Sequence, residues 1–251
     1  MTEAWRQQVL PRFDGAASHY DGEANLQRVI AERLASLCMQ QPIPAGLWVD
    51  LGSGTGLLAD ALERQCPGQQ VLRLDGSQAM LSQQGQQPSV LAFDLNNPLP
   101  HWPAPPTLLA SSFVLHWLNC PAKTLQHWLN CLAVDGWMAL SVPIEGSFPQ
   151  WHQAAARAGA ACTAMPLPDR DNLLAGLQPS AIQHCTVLNV TQRAEHAVRL
   201  LKPMTATGAD STPAQRLSTA SWRRLFHAWP QDEGSDHPGL TWKILILLLR
   251  R

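Results

Sequence analysis

The chain has 251 residues, 45% of them apolar and 15% charged, a balance that supports a buried core and excludes intrinsic disorder. The length fits one α/β domain, with room for a modest insertion but not for a second full domain. With 18 Lys plus Arg against 19 Asp plus Glu, the formal net charge of −1 exerts no overall pull toward nucleic acid or an anionic membrane.

The N-terminus carries Trp5, Arg6 and two glutamines where a secretory signal needs an apolar run, so the reading is a cytoplasmic chain. Residues 26–39 place Leu26, Val29, Ile30, Leu34 and Leu37 at helical spacing, and Pro42 and Pro44 end that pattern. A short apolar run at 47–51 leads into a glycine turn and then into Leu57, Leu58, Ala61 and Leu62 at helical spacing: strand, turn, helix. Strand signals recur at 71–74, 90–93, 107–114 and 137–142, with helices expected over 78–84 and 122–132. Such alternation implies a parallel sheet with helices on both faces.

From Ser147 the character changes. A helix is expected over 149–161, then a loop at 166–177 leading into another helix, together read as an insertion or lid. A strand over 182–190, helices over 195–201 and 219–229, the latter beginning near a Ser/Thr cap, and a strand over 240–249 complete the pattern. The apolar stretch 244–249 is far shorter than the roughly 20 residues a membrane helix requires. Six dispersed cysteines, Cys38, Cys66, Cys120, Cys131, Cys162 and Cys185, match no metal-ligand spacing and read as buried reduced thiols; no metal is expected.

In Asp50-Leu51-Gly52-Ser53-Gly54-Thr55-Gly56 the glycines permit a tight turn and close approach to a ligand, and the following helix offers free N–H groups. A purely structural turn would use the same residues. Asp75, 19 residues after Gly56, ends the second strand, where a carboxylate can accept both hydroxyls of a ribose. A dehydrogenase fingerprint reads Gly-x-Gly-x-x-Gly, whereas this chain has Gly-x-Gly-x-Gly preceded by an acid. Position alone leaves Asp94 open between ligand contact and turn or helix-cap residue.

The Asp-x-Gly-x-Gly-x-Gly segment and Asp75-Gly76-Ser77-Gln78-Ala79-Met80-Leu81 resemble the class I methyltransferases. The resemblance implies a Rossmann-like α/β fold with a mostly parallel seven-stranded sheet whose last strand is antiparallel, helices on both faces, and a small helical lid or insertion after strand 5. It implies S-adenosylmethionine as cofactor, with Asp50 at the methionine amino end, Asp75 at the ribose, Asp94 at the adenine amino group and Met80 or Leu81 on the ring. The full implied set is Asp50, Gly52, Ser53, Gly54, Gly56, Asp75, Gly76, Met80, Asp94, Leu95 and Ser111. The segment from Ser111 to Trp117 lacks the Asn/Asp-Pro-Pro-Tyr sequence of many amino-directed nucleic-acid methyltransferases.

Phe13-Asp14-Gly15-Ala16-Ala17-Ser18-His19-Tyr20, Asn25-Leu26-Gln27, the stretch from Glu145 to Ala154, Leu200-Leu201-Lys202 and Ala228-Trp229-Pro230 further resemble the malonyl-[acyl-carrier protein] methyltransferases of biotin synthesis. That implies methylation of the free carboxylate of malonyl on an acyl-carrier protein or on CoA, with Tyr20, Trp117 and Lys202 at the acceptor. It implies a single domain with a helical cap over 1–44, a cofactor core over 45–143, the lid over 144–180 and acceptor-site elements over 181–251.

Several positions stay open. Tyr20 is read as a site residue or as a core or capping tyrosine, and His116 as a site or surface histidine. Lys202, Arg199 and Arg193 are candidate cations for the carboxylate, and Arg216, Arg223 and Arg224 a patch for an acidic carrier, yet all of these also read as solvated helix residues. Thr107 stands where many methyltransferases have an acid, Pro203-Met204-Thr205 follow Lys202 where the malonyl family tends to have glycine-containing sequence, and the loop to Ser218 reads as shortened relative to that family. Other readings are a methyltransferase for another small carboxylic acid of the aconitate type, or a non-catalytic partner-binding subunit.

Overall fold

The computed structural model describes residues 3–85, 89–207, 216–231 and 234–251. The loop before Ser218, expected to be shortened, lies largely outside them. Seven strands run β1 Trp48–Leu51, β2 Val71–Asp75, β3 Val90–Ala92, β4 Leu108–Ser112, β5 Trp137–Pro143, β6 Ile182–Arg193 and β7 Gly239–Arg250. They form one sheet in the order β3-β2-β1-β4-β5-β7-β6. Strands β1 to β5 are parallel, and β7 runs antiparallel to both β5 and β6, as the resemblance implied.

Side chains on the central strands alternate between two cores because successive strand residues point to opposite faces. On one face Trp48, Leu108, Ala110, Trp137, Ala139, Leu240, Trp242, Ile244, Ile246 and Leu248 pack against helices; on the other lie Val49, Leu51, Leu109, Met138, Leu140, Leu245, Leu247 and Leu249. Both faces being covered explains why these strands read as continuous apolar runs.

The first face is covered by α3 Asn25–Met39, α4 Leu57–Gln65, α7 Pro149–Ala158, α9 Ala197–Ala206 and α10 Thr219–His227. The second is covered by α6 Pro121–Cys131 and α8 Arg170–Leu174, through Leu125, Trp128 and Leu173. The helical stretch expected after the fifth strand is present as α7 and α8, and α7 buries Trp151, Ala154 and Ala155 in the sheet core. Ahead of them in sequence, α1 Glu3–Ala16 and α2 Tyr20–Glu23 build the N-terminal helices, and α5 Gln78–Ser82 follows β2 with Ser77 capping Met80 N–H at 3.1 Å.

Two local expectations are corrected. Helix α9 continues past Lys202 and through Pro203 to Ala206. Proline removes one main-chain hydrogen bond, but the buried Leu200, Leu201 and Met204 hold the extra turn against the core. All six cysteines are free, yet only Cys38 is buried and Cys120 is exposed. Among the described residues no helix is long and apolar enough to cross a membrane.

Leu34 on α3 has no exposed surface and lies between α3, α4 and the sheet. Leu34→Ala should lower stability by about 2–5 kcal/mol, read from the midpoint of urea unfolding; a loss under about 1 kcal/mol would show that this helix does not anchor the core.

Candidate active site

Chain order reverses between β1 and β4, since β1 connects outward to β2 while β4 lies on its other side. A crevice therefore opens beyond their carboxyl ends, where ligands bind in such sheets. The Gly52–Gly56 turn leaves β1 there, and the Phe113–Trp117 segment leaves β4 beside it. Gly52 sits at φ +77°, and a Cβ on it would lie 2.3 Å from Val114 Cγ2, so only glycine lets these two loops meet. Gly56, at φ +100°, starts α4.

Two adjoining cavities fill the crevice. The larger, of about 350 Å³, is lined by Gly52, Asp75, Gly76, Met80, Asp94 and Leu95 on one side and by Ser112, Phe113, Val114 and Trp117 on the other. Val9, Leu10, Phe13 and Tyr20 from the N-terminal helices close it, and Asn96, Leu118 and Asn119 complete the rim. The smaller, of about 30 Å³, is lined by Asp50, Gly52, Ser53, Thr55, Tyr20, Gln27 and Ser112, among others. Thus Asp50, Gly52, Ser53, Asp75, Gly76, Met80, Asp94, Leu95, Tyr20 and Trp117 are brought together.

Asp50 is 1% exposed. Its Oδ2 accepts from Ala59 N at 3.1 Å, while Oδ1 has no partner. Burial pushes its carboxyl up to about 7, opposed by the nearby Arg73 guanidinium and the Ala59 hydrogen bond, and aided by Asp75 and Asp60. An unpaired oxygen on a buried carboxylate fits a ligand ammonium. Asp75 accepts from Gly54 N at 2.8 Å and Ser77 N at 2.7 Å, leaving each oxygen a further acceptor position. Burial raises its carboxyl, against those backbone hydrogen bonds.

Asp94 holds an Asx turn, its Oδ1 accepting from Asn96 N and Nδ2, each at 2.9 Å, and the residue also lines the large cavity. Ser111 lines neither cavity; its hydroxyl donates to Leu51 O at 2.6 Å and ties β4 to β1, while its neighbour Ser112 faces both cavities. The N-terminal helices are fastened over the crevice by Ser77 Oγ donating to Asp14 at 2.5 Å and Thr55 Oγ1 donating to Asp21 at 2.6 Å. Burial, then Asp75 and Asp21, raise the Tyr20 phenol, so it stays protonated and can donate.

The candidate cations lie elsewhere. Lys202 is exposed on α9 and faces Glu23 at 3.7 Å, and Arg199 is exposed beside Glu195 at 3.8 Å. Arg193 donates to His237 O at 3.4 Å near the far end of β6. None lines either cavity, and neither does any other Lys, Arg or His among the described residues. His116 is 4% exposed, not a surface histidine; it packs at 5.0 Å from the Trp117 ring, and burial lowers its imidazole to about 3. Trp117 stands edge-on to Phe13 at 5.3 Å. Sequence reasoning missed Phe13, Phe113, Asn96 and Asn119 as lining residues. Phe113 carried no residue-type signal, although its φ of +58° marks a strained non-glycine position of the kind found at binding sites.

A carboxyl raised by burial keeps its proton in the folded state over a range where the unfolded chain has released it. Stability from Asp50 is therefore present below about pH 4 and is lost as pH rises through about 7. Asp50→Asn should gain stability relative to the parent progressively across that window, with the smallest gain at its acid end, as followed by urea unfolding at several pH values. A difference that does not change with pH would contradict this ionisation.

A methyltransferase-domain family matches residues 49–138, which hold the glycine turn, Asp75 and Asp94. A malonyl-[acyl-carrier protein] O-methyltransferase of Laribacter hongkongensis is 35% identical over 154 residues, covering 54% of this chain and 51% of that protein. A biotin biosynthesis bifunctional protein BioCD of Bordetella avium is 30% identical over 228 residues, covering 87% of this chain and 48% of that protein. The chain thus spans about half the length of these two relatives. A crystal structure of a putative methyltransferase from Bacillus halodurans superposes with a TM-score of 0.58 at 12% identity, over 86% of this chain and 97% of that one. Sequence and fold point the same way: residues 49–138 match a methyltransferase-domain family, the chain shares the fold of a solved methyltransferase-like structure, and it is similar in sequence to the malonyl-[acyl-carrier protein] O-methyltransferases.

Proposed function

We propose that the chain is a carboxyl O-methyltransferase that esterifies the free carboxylate of malonyl held on an acyl-carrier protein or on CoA, an early step of biotin synthesis. The observation that carries the substrate is the similarity to a relative bearing that activity in its name, joined by one whose name places it in biotin biosynthesis. The crevice is consistent with it, having a small polar recess at Asp50 beside a larger, partly apolar chamber. When bound, S-adenosylmethionine supplies an electrophilic methyl group on a positively charged sulfur.

The residues divide the work by chemistry. Asp50 would receive the donor's ammonium on its unpaired oxygen, and Asp75 would accept the ribose hydroxyls on its remaining lone pairs. Met80 and Leu95 line the larger chamber and would hold the adenine, with Asp94 as a candidate partner for its amino group. Phe13, Phe113 and Trp117 exclude water from the chamber. A malonyl carboxylate is already ionised at neutral pH, so displacement at the methyl needs no general base. Tyr20 stays protonated and orients the acceptor through its hydroxyl. With no basic side chain among the described lining residues, the donor's sulfonium would be the positive charge facing the acceptor carboxylate. Arg216, Arg223 and Arg224, exposed at and before α10, offer a surface to an acidic carrier.

Labelled S-adenosylmethionine mixed with malonyl-carrier protein should give labelled methyl ester, with malonyl-CoA, trans-aconitate and other free polycarboxylic acids run beside it. Label appearing only on a free acid would replace the substrate. Cofactor binding with no transfer to any acceptor would favour a non-catalytic role. Asp75→Ala should weaken binding of S-adenosylhomocysteine by about 1–3 kcal/mol, because the ribose hydroxyls lose their partner; calorimetry showing parental affinity would remove Asp75 from the cofactor site.

A further inference from the structure

We propose that Gln84 is a positioning residue for the methyl donor, acting through the Gly54 peptide, with Arg73 fixing the orientation of its amide. The proposal rests on the methyl-donor reading of the crevice. Gln84 follows α5, is 8% exposed and lines neither cavity, yet it makes three hydrogen bonds behind the glycine turn. Its Nε2 donates to Gly54 O at 2.7 Å and to Ser53 Oγ at 3.0 Å, and its Oε1 accepts from Arg73 Nη1 at 3.2 Å.

A guanidinium only donates and a peptide carbonyl only accepts, so chemistry decides which end of the amide faces which partner. Arg73 cannot swing away, because its side chain is 2% exposed and paired with Asp60 at 2.7 Å and Glu63 at 2.6 Å. The amide is therefore held by a buried, charge-anchored donor on one side and presents its own donors to the turn on the other.

Gly54 is fastened at both of its peptide groups. Its N–H donates to Asp75 Oδ2 at 2.8 Å and its carbonyl accepts from Gln84. The residue sits at φ +55°, with open space where a Cβ would point, so packing does not restrain it and these hydrogen bonds do. Through this one residue Gln84 reaches the carboxylate that lines the donor cavity. Glutamate at position 84 would keep the shape and the Arg73 contact but set an acceptor against the Gly54 carbonyl, whereas methionine would keep the length and remove both donors.

The test uses the full chain with Gln84→Glu and Gln84→Met, each alone and combined with Asp75→Ala, measuring melting temperature and the Kd for S-adenosylhomocysteine. We expect each single Gln84 variant to stay folded and to raise Kd by about tenfold. In the Asp75→Ala background the same substitutions should change Kd by under about threefold, because the group they position is gone. Folded single variants with parental Kd, or equal effects in both backgrounds, would overturn the proposal. If Gln84→Glu does not fold, Gln84→Met is judged by the same outcomes. Failure of the parent chain itself to bind S-adenosylhomocysteine would instead overturn the methyl-donor reading on which the proposal stands.

Discussion

The crevice depends on how closely two loops approach at the carboxyl ends of β1 and β4. Val114 leans over Gly52, and the 2.3 Å separation that a Cβ would have from Val114 Cγ2 leaves no room for any side chain. A methyl there would force the loops apart and open the floor shared by both cavities. The order β3-β2-β1-β4-β5-β7-β6 makes the two strands neighbours, and the missing side chain lets their loops touch. Ser111 reinforces the contact by donating to Leu51 O, so a residue that lines nothing still sets the distance between the walls.

Charge behind the turn balances charge within it. Asp50 is buried with one oxygen unpaired, which is costly unless a cation or a proton neutralises it. Arg73 supplies part of that compensation, but its own hydrogen bonds go to Asp60, Glu63 and Gln84. The remaining deficit raises the Asp50 carboxyl toward neutrality and prepares it for a positively charged ligand group. The same arginine therefore serves the turn twice, by its field at Asp50 and through the amide it orients.

The N-terminal helices make the crevice a chamber. Phe13 and Tyr20 come from sequence far from the strands, yet hydrogen bonds from Ser77 to Asp14 and from Thr55 to Asp21 fasten them over the two loops. Both bonds are made by residues beside the glycine turn and Asp75, so the cover and the cofactor walls are mechanically joined. With Trp117 braced against Phe13, the chamber joins an apolar aromatic wall to polar groups at Asp75, Asp94 and Asn96.

The strands, the glycine turn, Asp50 and Asp75 were legible in the sequence, because apolar periodicity and glycine spacing are local consequences of backbone geometry. Asp94 was half legible, since an Asx turn and a cavity wall ask for the same residue. Lys202, Arg199 and Arg193 show the limit: residue type and motif order marked them, but the rotation of α9 and the register of β6 set them in solvent or against other partners. Gln84, Phe113, Asn96 and Asn119 carry no local signature and matter only because distant segments converge. By itself the sequence determined the α/β alternation, the glycine turn and its acid, each of which is written in short-range patterns of residue type. Only the tertiary structure decided which side chains wall the chamber and which cations stay outside it, because those depend on strand order and helix docking across the whole chain.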